Sequence, residues 1–325
     1  MTRFSGVSSA PEVGAPGPIA LVGATATGKT AVGMLLAEAL DTEIIGCDSR
    51  QVYRRLDIGS AKPTPAERRR VRHHLVDVAD PDERYSAARY REEVVALLPA
   101  FASRARAPLF VGGTGLYLRA AIQGLCPAPA ALPGLRRWIT AIGQMLPGGL
   151  HQLLAHVDAA AAARIHPHDN FRLNRALEVF YLSGLTLTEH HQRHRDGRPS
   201  SAIRIFAIDL PGAEIRRRIN QRLEVMMVTG FLDEARNLLD EGVDPALPAL
   251  RAVGYPELFA HLRGETTLDA ALEAIRRATW QYARRQLTWF RGERRVSWIP
   301  ASAETSEEAI AGTILQRLHG EGNAS

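Results

Sequence analysis

The residues Gly23-Ala24-Thr25-Ala26-Thr27-Gly28-Lys29-Thr30 form the segment whose types and spacing most plainly imply chemistry. They fit the pattern G-x-x-x-x-G-K-[ST], which cradles phosphate when it links a strand to a helix. Its glycines let backbone amides turn toward phosphate oxygens, and the N-terminus of the following helix adds partial positive charge. Lys29 would neutralise the phosphates, and the Thr30 hydroxyl can ligate Mg²⁺. A cradle alone fits an NTPase or a kinase, in which an apolar strand ending in a metal-holding Asp is the usual companion. Here residues 108–111 run instead into Gly112-Gly113-Thr114, and residues 43–47 end at Asp48 with Ser49 and a polar loop behind it. The loop is therefore expected to hold a diphosphate rather than to run an ATPase cycle.

The elements around the cradle satisfy the context the motif needs. An apolar run at 19–22, bounded by Pro18 and Gly23, predicts a strand, and apolar residues at helical spacing over 29–40 predict a helix. Further strands are predicted at 43–47, 74–78 and 109–111, with a helix over 86–104. This alternation argues for an α/β fold with a parallel sheet flanked by helices on both faces. From 132 to about 194 only helical runs are found, among them 159–165 and 171–182, until a strand at 203–210 resumes the earlier pattern. Helices follow at 213–228, 232–240, 255–261 and 268–292, then a strand at 296–299. The expected organisation is a floppy leader over 1–17, a P-loop NTPase-like core over 18–130 and 201–300, a helical insertion over 131–200, and a polar tail over 301–325 able to form a helix around 307–318.

Charge is distributed unevenly over this plan. The 325 residues hold 40 Lys plus Arg against 35 Asp plus Glu, a net +5 that fits a polyanionic partner only weakly. The insertion, however, holds Arg136, Arg137, Arg164, Arg172, Arg175, Arg193, Arg195 and Arg198 and most of the histidines, with few acids to offset them. Cys47 and Cys126 have no disulfide or zinc spacing, which suits a reducing cytoplasm and inert thiols. The sequence shows neither a signal peptide nor an apolar run of membrane-spanning length.

The order of motifs carries a resemblance. After the phosphate loop come Asp48-Ser49-Arg50-Gln51-Val52-Tyr53, Asp57-Ile58-Gly59-Ser60-Ala61-Lys62-Pro63, His73-His74-Leu75-Val76-Asp77 and Tyr85-Ser86-Ala87-Ala88. Then follow Val111-Gly112-Gly113-Thr114-Gly115-Leu116-Tyr117, Arg175-Ala176-Leu177-Glu178-Val179, Ala252-Val253-Gly254-Tyr255 and Arg285-Gln286-Leu287-Thr288-Trp289-Phe290-Arg291. Over about 19–300 the chain resembles the tRNA dimethylallyltransferase family. The resemblance implies transfer of a dimethylallyl group from dimethylallyl diphosphate, with Mg²⁺, to N6 of adenine 37 beside the anticodon of tRNAs that read codons beginning with U. It implies Asp48 as the general base on N6, Thr114 and Arg222 on the diphosphate leaving group, and residues 23–30 as the diphosphate cradle. Contacts to tRNA would come from Asp48, Ser49, Arg50, Gln51 and Thr114, and from Arg136, Phe171, Arg172, Leu173, Asn174 and Arg175 in the insertion. Arg251, Ala252, Val253, Gly254, Tyr255 and Pro256 complete that set. A target adenine must leave its stack to reach a buried electrophile, so the protein has to grip the surrounding loop. A cytoplasmic monomer without a membrane partner is expected.

Several positions depart from the family pattern. Ala24 stands where proline is frequent, Gly115 where a larger residue is common, Phe171 where a polar residue often precedes the Arg, and Pro256 where Arg is frequent. Phe171 could stack on a base, a sequence-tolerant contact. His190, His191 and His194 have helical spacing for a metal, but no acidic third ligand is apparent and Arg193, Arg195 and Arg198 would repel a cation. Trp280, Trp289 and Trp298 read as packing. Three competing readings remain: an adenylate isopentenyltransferase, which would not need the basic insertion; a small-molecule kinase, which would need a metal-holding Asp and lid arginines; and a non-catalytic RNA-binding module, which leaves Lys29, Thr30, Asp48 and Thr114 without a purpose.

Overall fold

The computed structural model describes residues 17–196 and 203–320. It divides into two compact units, one made of 1–122 with 202–325 and the other of 123–201. Along the chain, β1 (Ile19–Val22), α1 (Lys29–Ala39), β2 (Ile44–Gly46), α2 (Pro65–Arg70), β3 (His73–His74), α3 (Ala87–Ala102), β4 (Leu109–Gly112) and α4 (Gly115–Gln123) build the first part of the larger unit. The smaller unit follows with α5 (Pro133–Met145), α6 (Gly149–Val157), α7 (Ala159–Ala162), α8 (Asn170–Ser183) and α9 (Leu187–Asp196). The chain returns through β5 (Arg204–Asp209), α10 (Gly212–Val228), α11 (Phe231–Asp240), α12 (Tyr255–Leu262), α13 (Leu268–Arg291), β6 (Val296–Pro300) and α14 (Glu307–Gly320).

The six strands are all parallel, in the order β3-β2-β4-β1-β5-β6. The central strand β1 is buried at every position, as a strand covered on both faces requires. Its side chains alternate between two cores: Ala20 and Val22 join Phe110 and Ala207, whereas Ile19 and Leu21 join Leu109 and Ile208. The chain leaves β1 for β2 on one side of the sheet and leaves β4 for β5 on the other, and the carboxyl ends of these strands are where ligands bind in open α/β sheets. The P-loop-type parallel architecture expected from the sequence is the one observed.

Two expectations need correction. The third strand covers only His73–His74, because Leu75 and Asp77 take φ of 59° and 58° and leave the extended conformation. The helical unit starts at 123 rather than 131. The helix expected around 307–318 is present as α14, whose Ile310, Ala311, Ile314 and Leu318 are buried in the core that also holds Val32 and Leu36 of α1. Nearly all of the expected leader, 1–16, lies outside the described residues.

The smaller unit has its own core, with Ile139, Leu150, Leu154, Leu173 and Leu177 at its centre. Glu178 is completely buried in this unit, held by Arg136. His190 hydrogen-bonds Ser183 at 2.9 Å, and among the described residues no cluster of His, Cys, Asp or Glu could hold a metal. No described helix is long and apolar enough to cross a membrane.

Candidate active site

The carboxyl ends of β1, β2 and β4 bring the expected groups around one cavity of about 320 Å³. Gly28, at φ 88°, ends the phosphate loop in a left-handed conformation and starts α1. Within the loop Thr27 Oγ1 donates to the Ala24 carbonyl at 2.9 Å, and Lys29 Nζ donates to the same carbonyl at 2.6 Å. Arg222, one α10 turn beyond Arg218, donates to Thr25 Oγ1 at 3.1 Å. Burial pushes the Lys29 ammonium down to about 8, opposed by the charge of Asp48 and reinforced by Arg222. Burial also lowers the Arg222 guanidinium from its ordinary value, again opposed by Asp48. Two desolvated cations facing one cavity are costly alone and favourable once a polyanion lies between them.

Asp48 follows β2 and anchors the next turn: its Oδ1 accepts from Arg50 N at 2.8 Å and from Gln51 N at 3.4 Å. Its Oδ2 accepts no hydrogen bond among the described residues, so one oxygen serves the fold and the other is left for chemistry. Thr114, after β4, donates its backbone N–H to the Cys47 carbonyl at 3.0 Å. Its Oγ1 accepts from Ser49 N at 3.0 Å, so the hydroxyl ties the β4 turn to the Asp48 turn instead of capping α4. Cys47 is buried, and this burial pushes its thiol up to about 12, which makes it inert.

Two residues of α13 complete the site, and neither was assigned a role from the sequence. Gln286, almost fully buried, accepts from Thr25 N at 2.8 Å and donates to the Gly113 carbonyl at 3.0 Å, joining the phosphate loop to the β4 turn. Gly113 is a glycine of necessity here, since a Cβ would stand 2.1 Å from Gln286 Nε2. Tyr282 reaches Thr114, and its phenol is raised above the ordinary value by burial and by the Asp48 charge. The only sequence hint was Gln286 within the Arg285-to-Arg291 motif. A contact spanning 261 residues, between Gln286 and Thr25, has no local signature.

The remaining expected residues separate into exposed and buried groups. In the larger unit Arg50 donates to the Pro248 carbonyl at 2.8 Å, Arg251 lines the cavity, and Pro256 is exposed. Ala252, though buried, lines the cavity together with the half-buried Val253, whereas Tyr255 and Gly254 are buried outside its lining and support the site from behind. In the smaller unit Leu173 is a core residue and offers no side chain to RNA. Arg136 is committed to Glu178 through two hydrogen bonds of 2.6 and 2.7 Å, and Arg175 stands 3.8 Å from the same carboxylate. Arg172 is exposed and lies 3.4 Å from Asp169. Asn174 donates to Thr140 at 3.4 Å. Phe171 is 77 % exposed, and the edge-to-face pair Trp138 and Tyr181 is also exposed, which gives this unit stacking surfaces beside its arginines. At Gly115 the side-chain space is occupied by Trp289, with Nε1 1.9 Å from where a Cβ would stand.

A parallel sheet with a phosphate loop at the carboxyl end of its central strand, facing a carboxylate across a cavity, defines a P-loop-type enzyme that works on a phosphorylated substrate. Residues 51–293 match the family model described as IPP transferase. The chain is 45 % identical over 275 residues to a tRNA dimethylallyltransferase of Syntrophobacter fumaroxidans, covering 83 % of this chain and 80 % of the relative. It is 44 % identical over 274 residues to a tRNA dimethylallyltransferase of Methylococcus capsulatus, covering 83 % and 88 %. The crystal structure of a tRNA isopentenylpyrophosphate transferase from Bacillus halodurans aligns with a TM-score of 0.69 at 34 % identity, over 95 % of this chain and 99 % of that one. The chain belongs to the IPP transferase family.

Proposed function

We propose that the protein transfers the dimethylallyl group of dimethylallyl diphosphate to N6 of adenine 37, beside the anticodon of tRNAs reading codons that begin with U. The observation that carries this reading is the polarity of the cavity: Lys29 and Arg222 at the phosphate loop face the carboxylate of Asp48 across it. In the proposed reaction the N6 lone pair forms a bond to C1 of the allylic chain while the C1–O bond breaks, and its electron pair leaves on the diphosphate. The N6 proton passes to Asp48 Oδ2. Lys29 and Arg222 stabilise the growing charge on the diphosphate. Thr114, whose hydroxyl oxygen accepts from Ser49 N and whose hydroxyl is hydrogen-bonded to Tyr282, would turn its proton from Tyr282 to the leaving oxygen.

Thr30 lines the cavity as a hydroxyl donor at the phosphate loop, and among the described residues no acidic cluster could hold a metal by itself. That donor set fits Mg²⁺ carried mainly by diphosphate oxygens and water, which is the coordination this ion favours. The metal would supply further charge neutralisation on the leaving group. The exposed aromatics and arginines of the smaller unit are proposed to hold the anticodon loop, with the protein acting as a monomer in the cytoplasm.

The test is incorporation of radiolabelled dimethylallyl diphosphate, with Mg²⁺, into unmodified tRNA and in parallel into AMP. Label in tRNA alone supports the reading. Label in AMP moves the protein to a free-nucleotide acceptor, and label in neither returns attention to a kinase using the same cradle.

A further inference from the structure

We propose that Glu234 is a positioning residue for acceptor specificity: through the 57–61 loop it locks the Gln51 amide so that its carbonyl oxygen selects an amino group over an oxo group at purine position 6. The inference rests on the reading of an adenine acceptor given above.

Glu234, in the first turn of α11, accepts four hydrogen bonds. Its Oε2 takes the backbone N–H groups of Asp57 and Ile58 at 2.9 and 2.7 Å. Its Oε1 takes Gly59 N at 3.0 Å and the hydroxyl of the buried Tyr255 at 2.7 Å. Three successive amides converging on one carboxylate fix the loop at its amide end. The turn closes through Ala61 N to the Ile58 carbonyl at 2.9 Å and Lys62 N to the Asp57 carbonyl at 3.1 Å. Lys62 Nζ, with a side chain only 3 % exposed, is held between Asp57 and Asp77 at 2.6 Å from each.

With its amides turned toward Glu234, the loop presents carbonyls to Gln51, and these decide the orientation of that side chain. Gln51 Nε2 donates to the Ser60 carbonyl at 3.3 Å and to the Ala61 carbonyl at 2.9 Å. Only an amide NH₂ can face two carbonyl oxygens, so the opposite flip is excluded on chemical grounds. The Gln51 oxygen then accepts nothing among the described residues, on a side chain that lines the cavity next to Asp48. Asp48 and Gln51 thus offer the acceptor base two hydrogen-bond acceptors and no side-chain donor. The exocyclic amine of adenine has two protons to give: one to Asp48, where it is lost, and one to Gln51. A 6-oxo purine would bring a third acceptor to the same place, leaving buried polar groups unpaired.

The experiment uses the full-length enzyme, labelled dimethylallyl diphosphate, and an anticodon stem-loop with adenine at the target position, with the hypoxanthine stem-loop as competing inhibitor. For the wild type we expect the hypoxanthine loop to bind about tenfold or more weakly than the adenine loop. Glu234→Gln keeps the shape but cannot accept the three amides and the phenol together, and should shrink that ratio to about two- to threefold while leaving the donor KM unchanged. Tyr255→Phe, a milder change, should give an intermediate ratio, and covers the case in which Glu234→Gln fails to fold. Gln51→Leu should collapse the ratio as far as Glu234→Gln does, and the double variant should go no further, because both act through one amide. A lower melting temperature with an unchanged ratio in Glu234→Gln and Tyr255→Phe would make Glu234 a structural strut and overturn the inference. Absence of label in the adenine loop with the wild type would remove the adenine-acceptor reading itself, and this inference with it.

Discussion

Replacing Arg136 by Ala separates a structural role from an RNA-binding one. The substitution removes the guanidinium whose Nε and Nη2 donate to Glu178 at 2.6 and 2.7 Å. Glu178 has a side-chain exposure of 0 %, and the cation left to it, Arg175, stands 3.8 Å away. Stranding one charge of a buried pair costs about 3–5 kcal/mol. Here Arg136 is itself 35 % exposed, so water can reach the vacated side and Arg175 remains, which lowers the expected loss to about 2–3 kcal/mol. With a urea slope of about 2–3 kcal/mol/M, the unfolding midpoint should fall by roughly 1 M. Urea melts read by far-UV circular dichroism and by the fluorescence of Trp138, on the same helix, give the measurement. Arg136→Met combined with Glu178→Leu should recover most of the loss, because no charge is then stranded. A wild-type midpoint in Arg136→Ala, together with weaker tRNA binding and a salt slope reduced by about one, would refute this reasoning and return Arg136 to the phosphate backbone.

Three further outcomes follow from the site. Asp48→Asn preserves the acceptor for Arg50 N and Gln51 N but removes the base, so single-turnover label transfer should slow by about 10²–10⁴-fold while tRNA affinity holds; an equal loss in both would remove Asp48 from the chemistry. Because burial holds the free Lys29 ammonium near about 8, affinity for the donor should fall as pH rises through that value, and donor binding at slightly higher pH should take up a proton. Calorimetry in buffers of different ionisation enthalpy reads that proton, and a heat independent of buffer would contradict it. The depressed value also means that the unfolded chain binds more protons between about 8 and 10.5, so this group's contribution to stability rises with pH across that window. Gln286→Met strands Thr25 N and the Gly113 carbonyl, with an expected loss of about 2–4 kcal/mol of stability and a raised donor KM; an unchanged KM would show that the bridge does not shape the phosphate loop.

Much of the parallel sheet was legible because its signals are local. The strands at 19–22 and 109–112 are apolar runs, the first followed by Gly23 and the second ending in Gly112, and the phosphate loop is a contiguous motif whose backbone conformation follows from Gly28 and from the helix it starts. The helix α2 carried a signal that went unread, Thr64-Pro65-Ala66-Glu67, a capping box with proline in the first turn. The third strand was overextended because apolar Leu75 and Val76 continue its pattern, whereas tertiary contacts of Asp77 with Lys62 and Arg68 draw the backbone out of line.

By itself the sequence determined which residue types are candidates to meet a phosphate and an amine, since Lys29, Thr30, Asp48 and Thr114 each sit in a short recognisable motif, whereas Arg222 was reached only through the family resemblance. Only the tertiary structure decided which charges are free to act. Arg136 and Arg222 are both arginines on helices, yet one is neutralised by a buried carboxylate and the other is left desolvated beside Lys29. In the same way Tyr255 and Gln286 became supports of the site through partners distant in sequence. The physical reason is that ionisation, burial and hydrogen-bond partners depend on what lies within a few ångströms, and for these residues those neighbours come from elements that folding, not chain order, brings together.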